Sequence, residues 1–362
     1  MRRKREVRRR RVVALAAVAL IAATTALAAT SKSPSRHALR SARHAAGATT
    51  AAQTGPSAGS PRRPRAAHAI AHTRLSAEVA VGLRVLTFVD RARTVRFLNG
   101  TVEPRALVTE VRYPAVGRAG ADDVHNAAPL SRSGPYPLVV FGHGFAVAPD
   151  VYAPLLDAWV RAGYVVAAPV FQLGSPYAPG GPNEADLVNW PRDMSFVISS
   201  MLNADAASSG PLAGIIERGR IAAAGQSDGG DTALAISFDA PLRDSRVNAA
   251  VILSGAEIPM LGSFSFPRHG PPLLATQGSA DTINLPSATQ TFFSAAPSPK
   301  FLLTLVGAPH LPPYTTEQPY LSVIERVTIA FLDHYVKHTA PALARMLAAG
   351  SVNGVATIQA HD

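Results

Sequence analysis

One stretch of fourteen residues, 221–234, constrains the fold of this chain more than any other. A short apolar run leads directly into Gly-Gln-Ser-Asp-Gly at residues 225–229, and small residues at helical spacing follow. This order predicts a strand, a sharp turn and a helix, the arrangement called a nucleophile elbow. The serine of such a turn, Ser227, has a strained backbone and close neighbours, so glycine is needed on both sides. A motif this short also arises by chance, and the rest of the chain has to support it.

Short apolar runs and helical segments alternate along most of the chain. The predicted strands are 82–89, 106–113, 137–141, 164–169, 221–224, 247–253, 272–276 and 301–306, and the predicted helices are 149–162, 184–202, 228–238, 285–293 and 320–337. Continuous apolar runs are typical of strands that are buried on both faces. Repeated βα units pack best as a mostly parallel central sheet with helices on both faces. The predicted fold class is therefore α/β.

The positive charge of the chain is confined to its N-terminal fifth. Residues 1–74 contain 16 of the 35 Lys and Arg residues and one of the 24 acids, a balance of 16 − 1 = +15. The remainder carries 19 − 23 = −4. The part of the chain that is rich in apolar residues is thus mildly acidic, and it is not expected to bind nucleic acid.

The N-terminal residues have the composition of an export signal followed by a linker. Residues 1–11 are densely basic, residues 12–29 are uncharged and apolar, and Ala26-Leu27-Ala28 offers a cleavage site. We predict that 1–29 is a secretory signal peptide, or an N-terminal membrane anchor if it is not cleaved. Residues 30–74 are a predicted disordered linker rich in Ala, Pro, Ser and Arg. The predicted location is secreted, or membrane-anchored and extracytoplasmic.

The remaining residues divide into a predicted catalytic domain, 75–340, and a C-terminal extension, 341–362. The chain has no cysteine, which excludes a disulfide framework, a thiol nucleophile and a cysteine metal site. The histidines of the linker are scattered, and His334 and His338 are expected on the solvated face of a helix. We predict no metal and no cofactor, and we expect a monomer that contacts a membrane only through an uncleaved N-terminal segment.

Polar residues stand directly after several predicted strands, where the catalytic groups of open α/β sheets collect. Ser227 needs a base because its hydroxyl is too weakly acidic to attack a carbonyl unaided. His310, in a Pro-rich loop after the strand 301–306, is the predicted general base. Asp281, in the loop after 272–276, is the predicted carboxylate that orients His310. Glu257, one strand earlier, remains the alternative acid.

Serine, acid and histidine in this chain order resemble the α/β-hydrolases over about residues 82–337. The Gly-His-Gly-Phe turn at 142–145 is most similar to the secreted dienelactone-hydrolase-like, cutinase-like and platelet-activating-factor-acetylhydrolase-like esterases of actinobacteria. The resemblance implies a serine hydrolase that cleaves carboxylic esters through an acyl-enzyme intermediate. It also implies that the backbone N–H groups of Phe145 and Asp228 form the oxyanion hole. Dienelactone hydrolases proper use a cysteine nucleophile, so their substrate is not carried over.

Several further residues have predicted roles around this site. We expect His143 to hydrogen-bond the backbone beneath the oxyanion loop, and the Asp228 carboxylate to turn away from the oxyanion. Arg192 and Asp193 are predicted to pair as an internal brace. The candidate walls of the substrate pocket are Phe145, Tyr177, Trp190 and Phe264.

Two alternatives to ester hydrolysis remain open on the sequence alone. The same fold can serve a noncatalytic protein that binds an extracellular ligand, since fold does not fix function. The same three side chains can also act on an amide or peptide bond. The predicted partner is accordingly a small-molecule, lipid or polymeric ester.

Overall fold

The computed structural model describes residues 79–120, 122–262 and 264–361. The predicted leader, 1–29, and linker, 30–74, lie outside these residues. A ten-stranded sheet has the order β10-β9-β8-β7-β6-β4-β5-β2-β1-β3. The strands are β1 Val79–Arg96, β2 Val102–Arg118, β3 Val124–His125, β4 Tyr136–Gly142, β5 Val165–Pro169, β6 Ile216–Gln226, β7 Val247–Leu253, β8 Leu273–Gly278, β9 Lys300–Leu305 and β10 Ala356–His361.

Six central strands, from β9 across to β5, run parallel to one another. The chain leaves β4 toward β5 on one side and returns to place β6 on the other side of β4. The strand order therefore reverses between β4 and β6. A crevice opens beyond the carboxyl ends of the strands at such a reversal, and ligands bind there in open α/β sheets.

Helices cover both faces of the sheet. They are α1 Ala153–Arg161, α2 Trp190–Ala206, α3 Asp228–Phe238, α4 Pro286–Ala295, α5 Tyr320–Tyr335 and α6 Ala342–Gly350. Short 3-10 helices occupy Ser131–Ser133, Pro149–Tyr152, Glu184–Asn189 and Pro312–Tyr314. No helix in the described residues combines the length and the apolar character needed to cross a membrane.

The two faces of the sheet contribute to two separate apolar clusters. Leu138 and Val140 of β4 pack with α2, α3 and α4, whereas Val139 and Phe141 pack with α1 and α5. Successive side chains of a strand point to opposite faces, so a strand that is apolar at every position can serve both clusters. The predicted α/β class, with a mostly parallel sheet and helices on both faces, is confirmed.

The structure differs from the prediction in the first two strands, in one helix and in the C-terminal residues. The first two strands are much longer than predicted and form an antiparallel arm, in which exposed and half-buried residues alternate beyond Leu83. The predicted helix 184–202 is a 3-10 helix followed by α2, which begins at Trp190 with a proline in its first turn. Residues 341–362, predicted as an extension, contribute α6 and the edge strand β10, which pairs antiparallel with β9.

The predicted pair between Arg192 and Asp193 is wrong. Asp193 is fully buried and accepts hydrogen bonds from Arg105 of β2, with Nε–Oδ1 at 2.7 Å, while Arg192 is exposed. Arg105 also donates to Asp186 at 2.9 and 2.6 Å, and Arg93 pairs with Asp193 at 2.9 Å. Adjacent residues of a helix point in different directions, so the Asp193 side chain points toward the sheet and the Arg192 side chain toward solvent.

This buried network gives the first testable prediction. Replacing Arg105 with Met leaves Asp186 and Asp193 buried without their main counter-ion. Breaking a buried pair in this way lowers the free energy of unfolding by roughly 3–5 kcal/mol. Urea denaturation measures the loss, and Arg192→Met is the matched control, expected to stay within about 0.5 kcal/mol of wild type. Equal effects of the two substitutions would contradict the assignment.

Candidate active site

Ser227 stands at a strained turn between β6 and α3. Its backbone has φ 55° and ψ −126°, a region that a residue with a side chain rarely adopts. The turn needs glycine because the neighbouring backbones touch. A Cβ on Gly225 would lie 2.1 Å from the carbonyl oxygen of Gly229. A Cβ on Gly229 would lie 2.0 Å from the oxygen of Gly142. The motif therefore forms the predicted strand–turn–helix.

Asp281 and His310 meet at the same edge of the sheet. Asp281 Oδ2 lies 2.7 Å from His310 Nδ1, and both side chains are buried. The other carboxylate oxygen, Oδ1, accepts the backbone N–H groups of Ile283 and Asn284 at 2.8 and 3.1 Å. These bonds fix the carboxylate, which in turn favours the His310 tautomer with its proton on Nδ1. Nε2 is then left with a lone pair.

Hydrogen bonds join the loop that carries Asp281 to the loop that carries His310. Ala280 N–H donates to Ala308 O at 3.1 Å, and Gly307 N–H donates to the Ser279 hydroxyl at 2.7 Å. A Cβ on Gly278 would lie 2.3 Å from Ala308 O, so glycine is required for this approach. The separation of the two side chains is thus set by strand ends that lie next to each other in the sheet.

The group at His310 Nε2 is the Gln226 amide rather than the Ser227 hydroxyl. Gln226 Nε2 is 3.3 Å from His310 Nε2 and donates to the His310 carbonyl at 3.1 Å. Among the described residues, Ser227 Oγ makes no side-chain hydrogen bond with His310. Hydrogen bonds between catalytic groups are often long in a free enzyme and tighten when substrate binds.

His143 hydrogen-bonds the backbone beneath the loop that follows β4, as expected from the sequence. Its Nε2 accepts the N–H of Phe171 at 3.0 Å, so Nδ1 carries the proton and donates to Gly144 O at 2.7 Å. Complete burial lowers the pKa of His143 to about 4, against a small opposing contribution from the Gly144 carbonyl. The ring is therefore neutral at physiological pH and serves to hold the loop.

The two predicted oxyanion donors come from the loop after β4 and from the first residue of α3. Among the described residues, no backbone acceptor receives the N–H of Phe145. The side chain of Asp228 is largely buried, and the Asp228 negative charge adds to burial in raising the pKa of the Tyr152 hydroxyl. The Asp228 carboxylate is therefore close enough to Tyr152 to act electrostatically on its hydroxyl.

The four candidate wall residues fall into two groups. Phe145 is half-buried and Tyr177 is 76% exposed, so both side chains can meet a bound molecule. Trp190 is fully buried and stacked on Phe171, with ring centroids 4.1 Å apart, and Phe264 is packed in the core beside α3. The structure therefore places Trp190 and Phe264 behind the surface. An apolar side chain in a loop can pack inward as readily as it can line a pocket.

Glu257, the alternative acid, is half-buried, and burial raises the pKa of its carboxyl. The carboxylate that contacts His310 in the structure is that of Asp281. Within residues 79–120, 122–262 and 264–361, no group of three or more His, Asp or Glu side chains is arranged to hold a metal ion.

A cavity of about 300 Å³ opens beside α2 and β1. Its lining includes neither Ser227 nor His310. Two of its arginines, Arg93 and Arg246, are already paired with Asp90 and Asp244. The cavity is therefore separate from the place where the predicted catalytic groups meet.

Three amide side chains around the site were not predicted. Gln226 contacts His310, Gln277 Nε2 lies 3.3 Å from Asp281 Oδ2, and Asn284 donates to Ser254 O at 2.6 Å. Gln226 directly precedes Ser227, and Gln277 and Asn284 lie within four positions of Asp281 in the sequence. This closeness in sequence to Ser227 and Asp281 was the available signal, because a buried amide there has to satisfy its hydrogen bonds locally.

The sheet, its strand reversal and the serine turn define an α/β-hydrolase fold. A family model described as chlorophyllase matches residues 100–287, slightly more than half of the chain. The chain belongs to the chlorophyllase family, which supports a hydrolase in general terms. No curated protein matches the chain. The narrower resemblance to dienelactone hydrolases, cutinases and platelet-activating-factor acetylhydrolases is not confirmed. The match includes Ser227 and Asp281 and ends before His310.

The low pKa of His143 predicts a specific pH dependence of stability. A neutral buried histidine contributes stability that is complete above the unfolded pKa of 6.5 and is lost as the pH falls toward about 4. Between pH 7 and pH 4.5 this loss amounts to roughly 2–3 kcal/mol. We expect wild type to lose that much more free energy of unfolding than His143→Gln over the same interval, as measured by urea denaturation. Parallel pH curves would contradict the assignment.

Proposed function

We propose that this protein is a secreted serine hydrolase of carboxylic esters. The observation that carries the proposal is the 2.7 Å contact between Asp281 and His310 at the sheet edge where Ser227 stands on its strained turn. The chlorophyllase family suggests an esterase-type hydrolase, which favours an ester over an amide. We do not infer the substrate of this chain from the name of the family.

The proposed reaction begins with attack of Ser227 Oγ on the ester carbonyl. His310 Nε2 takes the serine proton, and Asp281 stabilises the imidazolium that forms. The tetrahedral intermediate collapses when His310 donates the proton to the departing alkoxide, which leaves the acyl group on Ser227. A water molecule then attacks the acyl-enzyme with His310 again as the base, and the acid is released.

The negative oxygen of the tetrahedral intermediate needs donors that are already in place. The proposed donors are the N–H groups of Phe145 and Asp228, from the loop after β4 and the start of α3. The positive end of the α3 dipole adds to the attraction for an anion at this point. Donors of this kind, fixed before the reaction starts, typically contribute a factor of about 10²–10³ each to the rate.

In the proposed reaction His310 Nε2 leaves the Gln226 amide for the Ser227 hydroxyl. The His310 ring is held at Nδ1 by Asp281, and the His310 backbone is held by Gln226, which directly precedes Ser227. Rotation of the Ser227 side chain and movement of the ring are proposed to bring Oγ to Nε2. The half-buried Phe145 and the exposed Tyr177 are proposed to contact the substrate beside this point.

Export is part of the proposal and is supported by the sequence of residues 1–29 alone. Intact-mass measurement of the protein from the culture medium tests it. A product that has lost this segment supports secretion, and a full-length product retained on the membrane would favour the anchored alternative.

The proposed nucleophile gives a direct prediction. A fluorophosphonate probe is expected to label wild type and not Ser227→Ala, because only an activated serine attacks the probe. Ser227→Ala should also lower the hydrolysis of p-nitrophenyl butyrate by about 10³-fold or more. Ser294→Ala, which changes an exposed serine of α4, is the matched control and should keep both properties.

The outcome also decides between the enzyme and a noncatalytic binding protein. A folded wild-type protein that neither takes up the probe nor hydrolyses esters of any chain length would contradict the proposal and favour the binding protein. Labelling that persists in Ser227→Ala would place the nucleophile elsewhere.

A further inference from the structure

Gln226 joins three parts of the site through one buried amide. Its Oε1 accepts the Tyr152 hydroxyl at 2.7 Å, and its Nε2 donates to the His310 carbonyl at 3.1 Å and lies 3.3 Å from His310 Nε2. The Tyr152 hydroxyl also accepts the N–H of Gly144 at 3.2 Å. The chain of contacts thus runs from the residue before Phe145 to the proposed general base.

The partners of the Gln226 amide determine its orientation. The Gly144 N–H can only donate, so the Tyr152 oxygen accepts from it and gives its own proton to Gln226. Gln226 must therefore present its oxygen to Tyr152 and its NH₂ group to His310. The His310 carbonyl can only accept, which requires the same orientation. The Tyr152 hydroxyl and the His310 carbonyl thus independently require the same orientation of the Gln226 amide.

We propose that Gln226 is a positioning residue for His310. It holds the loop by its bond to the His310 carbonyl, and it selects the ring tautomer that the reaction needs. An NH₂ group can pair with Nε2 only when that nitrogen carries a lone pair, and this is the form that accepts the serine proton. This inference rests on the proposed function, since it assigns a role relative to Ser227.

The two contacts of Gln226 with His310 differ in strength. The bond to the carbonyl has an ordinary length, whereas the contact with Nε2, at 3.3 Å, is at the long end for a hydrogen bond. The ring can leave the weaker contact for the Ser227 hydroxyl while the stronger one keeps the loop in place. Gln226 therefore restrains the backbone of His310 and lets the ring turn.

Space for this amide depends on a glycine. A Cβ on Gly144 would lie 3.0 Å from Gln226 Oε1 and 3.3 Å from both the Tyr152 hydroxyl and the Ser227 Cβ. The Gly-His-Gly turn after β4 thus leaves room for Gln226 as well as for the bend of the loop. Gln226, which is 1% exposed, has no access to solvent as an alternative partner.

Introducing a negative charge at this position gives the sharpest test. In Gln226→Glu the carboxylate accepts a proton from a protonated Nε2 and stabilises the imidazolium. The acid limb of the pH profile of kcat/KM for p-nitrophenyl butyrate is then expected to move to higher pH by roughly one unit or more. A role limited to packing does not move this limb.

Removal of the polar groups gives a second readout. Gln226→Met is expected to lower kcat by about 10–100-fold with KM within about twofold, because the base is misplaced while the substrate contacts remain. Fluorophosphonate labelling of Ser227 should slow in parallel. Thr328→Val is the matched control, since it removes buried hydrogen bonds to Trp159 and Ile324 far from His310 and should change neither kcat nor the pH profile.

The outcomes separate this inference from the proposed function. If wild type is labelled by the probe and folded Gln226→Glu and Gln226→Met keep its kcat and pH profile, Gln226 has no positioning role and the esterase stands. If wild type is not labelled, the esterase fails, and a positioning role toward Ser227 fails with it.

Tyr152→Phe keeps the test decisive if both Gln226 variants fail to fold, as judged by circular dichroism. It removes the hydroxyl that joins the Gln226 amide to the Gly144 N–H, and it is expected to lower kcat several-fold in the same direction. Wild-type kcat in folded Tyr152→Phe would then overturn the inference.

Discussion

The whole site depends on backbone contacts that leave no room for a Cβ atom. β4, β6 and the start of α3 touch through Gly142, Gly225 and Gly229. A Cβ atom on any of these glycines would lie 2.0 to 2.9 Å from the facing backbone, which is closer than a real Cβ atom can come. These contacts force Ser227 into its strained conformation and bring the start of α3 against the loop after β4. The strain is borne by a core that is apolar on both faces of the sheet, so the serine is fixed by packing rather than by its own preferences.

Buried polar groups around this turn are satisfied in connected sets. One set holds Asp281 and His310 through the amides of the loop that follows β8, and another holds the loop after β4 through His143 and Tyr152. Gln226 links the two sets. A connected network of this kind costs little when every member has a partner and a great deal when one is lost, which is why a few amides determine the geometry of the site.

The fold and the candidate residues could be read from the sequence wherever the signal was local. The elbow motif consists of five consecutive residues, and apolar runs of four to seven residues mark the buried strands. The partner of Asp193 could not be read, because Arg105 stands 88 positions away and pairing depends on how the sheet and α2 pack. β10 was missed because its Ala-Thr-Ile-Gln-Ala-His sequence has only one large apolar residue and becomes a strand only beside β9. The position of Gln226 depends on the direction its side chain takes at the strained turn, which no sequence pattern encodes.

The proposed activity requires Ser227, His310 and the two backbone amides to converge on one ester group. The most direct measurement is a crystal structure of the protein after reaction with diethyl p-nitrophenyl phosphate. We expect phosphorus bonded to Ser227 Oγ, a phosphoryl oxygen within hydrogen-bonding distance of the N–H groups of Phe145 and Asp228, and His310 Nε2 turned from Gln226 toward the seryl oxygen. An unmodified Ser227, or an adduct whose phosphoryl oxygen faces away from both amides, would contradict it.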